Sequence, residues 1–203
     1  MIEKNKNYEM VDSEESEGFY WVGEFFKKKE NSYLARVDDV FIEDNFNLVG
    51  LSKIIENLKR SYNAILDKGK SQDFIEESSL YHLIHQRYIT SMTGLDDILE
   101  KVMNKEYGIC PRIGCGTKLI PYGDSTDPHI SGTKVFCYVC ECLYTPKGPL
   151  KGLDGCAWGN SFPMFLMISF PYKFKRKNVT PFKPRLYGFR VIVQDMDDSF
   201  DEE

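Results

Sequence analysis

Two close pairs of cysteines constrain the fold of this chain more than any other feature. Cys110 and Cys115 form the first pair, and Cys137 and Cys140 form the second. Each pair can supply two thiolates from one tight turn, and the intervening loop can bring the two turns face to face. Four sulfur ligands that leave no open position are typical of a structural zinc site. We therefore expect one structural zinc ion per chain.

Two further cysteines fall outside this spacing. Cys142 closely follows the second pair and could replace Cys140 as a ligand, although two residues between ligands, as in the pair of Cys137 and Cys140, is the usual spacing. Cys156 lies in a glycine-rich stretch. The ordinary interpretation of both is a small, buried or half-buried thiol.

The composition excludes several classes of protein. With 42% hydrophobic and 14% aromatic residues, the chain can bury a core. No apolar run approaches the roughly 20 residues that span a bilayer, so no membrane association is expected. The N-terminus lacks the apolar segment of a secretory signal, which predicts a reducing compartment where paired cysteines bind metal. The glycine-rich phosphate loops, kinase motifs and nucleophile elbow of common enzymes are missing, so no catalytic residue is predicted.

Hydrophobic periodicity predicts that the first half of the chain is helical. Residues 1–17 are acidic and expected to be disordered, and an all-helical N-terminal domain is expected over 18–107. We predict helices over 19–26, 40–45, 52–66 (capped by Ser52) and 72–90, followed by a last helix that Thr93 caps and Gly108 closes.

After Gly108 the sequence becomes rich in glycine, proline and threonine, and the apolar runs shorten. Short strands are predicted near 118–121, 133–137 and 143–146, and one more strand or short helix at 165–169. Together with the cysteine pairs, this pattern predicts a zinc ribbon over 108–170 that packs directly on the helices. The expected fold class is α+β.

Two other groups of residues offer alternative chemistry. His82 and His85 lie on one helical face and could bind a metal, but no carboxylate pattern accompanies them, which favours ordinary packing. His129 is expected at the surface. The basic residues of 173–177 could contact nucleic-acid phosphates, but the net charge of −5 and the lack of an aromatic stacking array argue against that function.

Residues 171–194 are expected to form an arm that reaches onto a partner. Tyr187 and Phe189 flank Gly188, so in an extended conformation both side chains would point the same way, as paired interface anchors do. The alternative is a last strand that packs on its own domain. Residues 195–203 form an acidic tail.

Several stretches resemble the regulatory beta subunit family of the protein kinase casein kinase II over nearly the whole chain. The matching residues are 37–48, 83–89, 110–112, 144–147, 159–167 and 184–189. The resemblance implies a non-catalytic regulatory subunit found in cytoplasm and nucleus. It also implies a homodimer formed through the zinc ribbon and an arm that docks on a catalytic subunit, giving two chains of each kind and modulating the choice of protein substrates.

The resemblance also implies roles for individual residues. Cys110, Cys115, Cys137 and Cys140 would be the zinc ligands, Pro111 and Leu143 would contact the second copy, and Leu186, Tyr187 and Phe189 would dock on the kinase. The family's acidic loop is replaced here by the mixed charges of 67–73, so regulation by polyamines through that loop is not expected. Ser13 and Ser16 lie among acidic residues and are candidate phosphoacceptors.

Overall fold

A computed structural model describes residues 20–179 and 182–191 of the chain. The predictions for the acidic N-terminus, including Ser13 and Ser16, and for the acidic tail lie outside the described residues. The other predicted site residues lie within the described residues.

The first helix, α1 (Trp21–Lys27), confirms the predicted amphipathic segment. Trp21 and Phe25 lie one turn apart, are fully buried and stack with their ring centroids 5.1 Å apart. The indole Nε1 of Trp21 donates a hydrogen bond to Glu77 Oε2 over 2.7 Å, which satisfies a buried carboxylate. A short helix, α2 (Asp39–Glu43), follows, as predicted for this region.

The helix predicted over 52–66 is wrong in its first half. Leu51–Lys53 forms a 3-10 turn, and helix α3 spans only Leu58–Ile65. Ser52 therefore caps no helix of that length, and Ile54 is exposed rather than part of one apolar stripe. Glu76 provides a reason, since its carboxylate accepts hydrogen bonds from the Asn57 backbone and the Ser61 hydroxyl and thereby fixes the start of α3.

The two long helices lie where the sequence predicts them, but their ends differ from the prediction. Helix α4 (Phe74–Tyr88) begins where Asp73 accepts hydrogen bonds from two backbone N–H groups. Helix α5 (Met92–Met103) is capped by Ser91, whose hydroxyl accepts from Gly94 N, so the prediction of Thr93 as the cap is wrong. It ends at Met103, before Gly108.

The second half contains a three-stranded antiparallel sheet in the order β1 (Ile120–Tyr122), β2 (Lys134–Cys137) and β3 (Cys142–Tyr144). Pro121 pairs with Val135, and Phe136 pairs with Leu143. A helix, α6 (Phe162–Ser169), follows and contacts β1. These elements confirm the strands predicted around the cysteine pairs and select a helix for the ambiguous segment near 165–169.

The helices and the sheet region share one hydrophobic core. His85 of α4 bridges them, because its Nε2 accepts from Ala35 N over 3.1 Å and its Nδ1 donates to the Ala157 carbonyl over 2.9 Å. Trp158 packs edge-on against both His85 and Tyr107. The mixed α+β class is therefore confirmed, while the separate domain boundaries stay predictions.

The last described segment is a small hairpin of β4 (Arg185–Leu186) and β5 (Phe189–Arg190). Tyr187 and Gly188 form its two-residue turn, both with positive φ, as the twist of short hairpins requires. Among residues 20–179 and 182–191, every helix is too short or too polar to cross a membrane.

Candidate metal centre and docking hairpin

Four cysteine sulfurs lie close together near the turn that joins strands β2 and β3. The Sγ atoms of Cys110, Cys115, Cys137 and Cys140 all lie within 4.8 Å of one another. Cys110 Sγ is 3.8 Å from Cys140 Sγ, and Cys115 Sγ is 3.6 Å from Cys137 Sγ. A tetrahedral zinc site with Zn–S bonds of about 2.3 Å requires sulfurs about 3.8 Å apart. The donor set and its spacing therefore fit a tetrahedral metal ion.

Backbone hydrogen bonds hold both cysteine turns in place. Cys110 N donates to Thr117 O over 2.7 Å, and Cys115 N donates to Arg112 O over 3.0 Å, which closes the first turn. In the second turn, Cys137 ends strand β2 and its sulfur accepts a hydrogen bond from Cys140 N over 3.4 Å. The two turns are therefore formed by the chain itself and present preoriented sulfurs.

The environments of the sulfurs differ. Burial raises the pKa of Cys137 to about 12. At Cys115 burial favours the neutral thiol, but hydrogen bonds with Thr117, Cys140 and Cys110 together outweigh burial, and the pKa falls to about 6. Four thiolates this close would repel one another, and a divalent cation among them removes that repulsion and deprotonates the thiols that it binds. A cation is thus the natural partner of this cluster.

The alternative metal ligands do not join the cluster. Cys142 Sγ instead contacts the Cys140 carbonyl oxygen over 3.1 Å. His85 uses both ring nitrogens in backbone hydrogen bonds, and burial lowers its pKa to about 3. Among the described residues, the four cysteines are the one group of potential ligands close enough to share an ion. Packing is therefore the role that the structure gives to His85.

The hairpin exposes the three apolar side chains that sequence reasoning assigned to docking. Leu186, Tyr187 and Phe189 are 62%, 93% and 80% exposed. The expectation that Tyr187 and Phe189 alternate along an extended strand is wrong, because Tyr187 occupies the turn and Phe189 pairs across the hairpin with Leu186. Gly188 is a weak turn signal, and Tyr187 is not among the residues that usually precede glycine in such a turn, so the sequence alone gave little indication of it. The hairpin is not a strand packed on its own domain.

The comparisons with known proteins identify the family. The chain matches the family described as casein kinase II regulatory subunit over residues 20–190. It is 38% identical to casein kinase II subunit beta of Schizosaccharomyces pombe over 190 residues, covering 89% of this chain and 82% of that protein. It is 33% identical to casein kinase II subunit beta' of Drosophila melanogaster, covering 90% and 87%.

The chain belongs to the casein kinase II regulatory subunit family. The match covers the helices, the cysteine cluster and the hairpin. The predicted family is therefore confirmed, and with it the prediction of a regulatory subunit rather than an enzyme.

Further apolar side chains are exposed around the cysteine turns of this family member. Pro111 and Leu143, the residues expected to contact a second copy, are both exposed. Nearby in sequence, or on helix α6, other large apolar residues are exposed as well: Ile109, Ile113, Met164, Phe165 and Ile168.

Sequence reasoning missed one feature of the surface. It noted the basic residues of 173–177 but not that Lys105 and Lys118, distant in sequence, line the same depression. The periodicity of the sequence carries no signal for this grouping, because it depends on how the segment after α6 lies across the sheet region.

Proposed function

We propose that this chain is a non-catalytic scaffold that pairs with itself through the zinc ribbon and docks two catalytic subunits of casein kinase II. The observation that carries the docking part is the hairpin, whose Leu186, Tyr187 and Phe189 are exposed to solvent. Aromatic side chains that enter a pocket of a partner commonly dominate binding energy. A tight turn presents them in a fixed geometry, which lowers the entropy cost of association.

The proposed metal is zinc, held by Cys110, Cys115, Cys137 and Cys140. Four thiolates favour zinc over hard cations such as magnesium or calcium. Bound zinc would supply folding energy and cross-link the two turns, with no open position for chemistry.

The proposed dimer surface comprises the exposed apolar residues beside the cysteine turns and on α6. Their exposure supports it, since large apolar side chains left in water are available for burial against a second copy. In the assembled state the chain would stabilise the kinase and modulate which protein substrates it phosphorylates, in both cytoplasm and nucleus.

The docking proposal is tested with the double variant Tyr187→Ala and Phe189→Ala. Isothermal titration with the purified catalytic subunit should show a loss of about 2 to 4 kcal/mol for each truncated ring. Tyr20→Ala, which truncates an exposed aromatic residue elsewhere, is the matched control and should bind as the unchanged chain does. Unchanged affinity of the double variant would reject the docking role of the hairpin.

The dimer proposal is tested with Leu143→Glu. A charge placed in an apolar interface should raise the dimer dissociation constant at least about tenfold, which corresponds to about 1.4 kcal/mol, measured by sedimentation velocity. Val40→Glu alters an exposed apolar residue on α2 and should leave the dimer intact. Equal dissociation constants for the two variants would argue against this interface.

A further inference from the structure

Five lysines surround one open depression between the end of α5, the first cysteine turn and the segment after α6. The depression has a volume of about 270 Å³. Met103, Thr117 and Tyr138 contribute to its walls, and no acidic residue of 20–179 or 182–191 lines it. The lysines are Lys105, Lys118, Lys173, Lys175 and Lys177, and we call them the lysine cluster.

Within the described part of the chain, none of these five ammonium groups forms an ion pair. Lys118 is half-buried, and its Nζ contacts the thioether sulfur of Met103 at 3.3 Å. A thioether is a weak acceptor for a charged donor. The cluster therefore holds positive charges that repel one another and lack counter-charges, which an anion would supply.

The basic surface continues into a neighbouring depression. Arg112, Arg176 and Lys177 line it, and Arg176 pairs with Glu141. No other ion pair between described residues offsets this surface. The charge of the region is thus strongly positive, although the whole chain carries a net charge of −5.

The shape of the cluster favours carboxylates over nucleic acid. Single-stranded nucleic acid binds where exposed rings stack on its bases. Here the nearby rings of Tyr138 and Phe174 are buried and pack edge-on against each other, 5.3 Å apart. The ring of Tyr172 is exposed and lies 5.5 Å from Lys173 Nζ, but a single ring does not provide the platform on which successive bases stack. Lysine ammonium groups, in contrast, pair with any carboxylate that reaches them.

We propose that the lysine cluster binds the chain's own acidic C-terminal segment, residues 195–203. Six of those nine residues are acidic, and four residues separate them from Arg190, where the hairpin ends. Val191 N donates to Pro184 O over 3.0 Å, so the hairpin brings the chain back to where the hairpin began. At about 3.3 to 3.6 Å per residue, Pro184 lies within about 25 Å of Lys177, and residues 192–203 can span about 40 Å, which is enough to reach the cluster. A tethered segment acts at an effective concentration near the millimolar range. The tail therefore covers the cluster against other acidic peptides.

The first test measures how the tail competes with the same peptide in trans. A fluorescent peptide of residues 195–203 is titrated with the full chain and with a variant in which the tail carries Asn and Gln instead of Asp and Glu. The neutral-tail variant should bind the peptide at least about tenfold more tightly, because the tethered competitor is gone. Equal affinities for both proteins would overturn the proposal.

The second test locates the site. In the neutral-tail background, Lys173→Gln, Lys175→Gln and Lys177→Gln should together abolish peptide binding. These side chains are exposed, so the fold is retained. The matched control removes three exposed lysines of the helical region, Lys53→Gln, Lys59→Gln and Lys70→Gln, and should bind the peptide normally. Equal losses in the two triple variants would show non-specific charge attraction and reject the cluster as the site.

The third test asks whether the tail binds in cis. Carbodiimide cross-links between the tail carboxylates and the cluster, mapped by mass spectrometry, should be independent of protein concentration. They should disappear when the salt concentration rises from about 0.01 M to about 1 M, because the Debye length falls from about 30 Å to about 3 Å. Cross-links that vanish on dilution, or tight binding of a short DNA that the tail does not affect, would overturn the proposal.

Discussion

Helix α1 and the C-terminal hairpin are both aromatic-rich segments near an end of the described chain, but the rings of α1 are buried and those of the hairpin are exposed. Trp21 and Phe25 of α1 are fully buried, whereas Tyr187 and Phe189 are 93% and 80% exposed. The rings of α1 share one helical face and pack against Phe74 and Tyr81. A hairpin of two-residue strands is too small to bury its own side chains.

This comparison separates residues that stabilise the chain from residues that the proposed function assigns to a partner. A buried ring contributes to folding, because its apolar surface leaves water when the chain folds. An exposed ring contributes nothing comparable until a second protein covers it. The composition of the two segments is similar, so the surface available within the chain decides their roles.

Loss of the metal should produce the largest effect. It should unfold the zinc ribbon and leave helix α1 packed. Cys110→Ser is expected to lose one zinc equivalent and to unfold the ribbon, because coordination of structural zinc is worth about 10 to 16 kcal/mol. Helix α1 packs on α4, so Trp21 should stay buried. Elemental analysis gives the zinc content, and fluorescence of a Trp158→Phe background reports on Trp21 alone.

The matched control for this experiment is Cys142→Ser, since Cys142 lies outside the cluster. It should retain a full zinc equivalent. Loss of zinc from Cys142→Ser with retention in Cys140→Ser would show that the ligand set is different. A red shift of Trp21 emission on metal loss would show that α1 depends on the ribbon.

Trp21→Ala and Tyr187→Ala test the comparison directly. Truncating the buried Trp21 should lower the free energy of unfolding by about 3 to 5 kcal/mol, and it also leaves Glu77 without its indole donor. Truncating the exposed Tyr187 should change it by less than about 0.5 kcal/mol. Urea denaturation measures both, and similar losses for the two variants would contradict the proposed division of roles.

Gly188→Ala sharpens the hairpin side of the comparison. Gly188 has a φ of 86°, and no atom of the described residues lies within 4 Å of the position that a Cβ would take. The substitution therefore costs about 1 to 2 kcal/mol through the left-handed backbone alone. Affinity for the catalytic subunit should fall about five- to thirtyfold while the unfolding midpoint stays constant. Affinity equal to that of the unchanged chain would show that the turn is not needed for docking.

The smallest expected effect is a pH dependence of the free energy of unfolding, which tests the buried part of the comparison through His85. Burial lowers the pKa of His85 to about 3, so the folded chain holds it neutral while the unfolded chain protonates it near 6.5. The contribution of neutral His85 is present above the unfolded pKa and is lost as the pH falls towards the folded pKa. Between pH 7.5 and 5.5 the loss should be about 1 kcal/mol.

The control for the pH effect is His85→Gln, which can still donate and accept a hydrogen bond but does not titrate. Its stability should fall less than that of the unchanged chain between the same two pH values, by about 1 kcal/mol. Parallel pH profiles from denaturant titrations would show that His85 does not control this dependence.

Local patterns in the sequence determined much of this protein. The spacing of Cys110, Cys115, Cys137 and Cys140 predicted a metal cluster, because ligands from tight turns depend on a few neighbouring residues. The i,i+4 spacing of Trp21 and Phe25 predicted a buried helix face. The run of acids at 195–203 predicted an acidic tail, whereas the turn at Tyr187 and Gly188 was not predicted.

Only the tertiary structure decided what depends on residues far apart in the chain. The helix predicted from Ser52 starts late because Glu76 binds the backbone at Asn57. His85 is a packing residue because the carbonyl of Ala157 and the N–H of Ala35 reach its ring. The lysine cluster exists because Lys105 and Lys118 meet 173–177 across the sheet region. Such contacts follow from the packing of whole elements, which no local periodicity encodes.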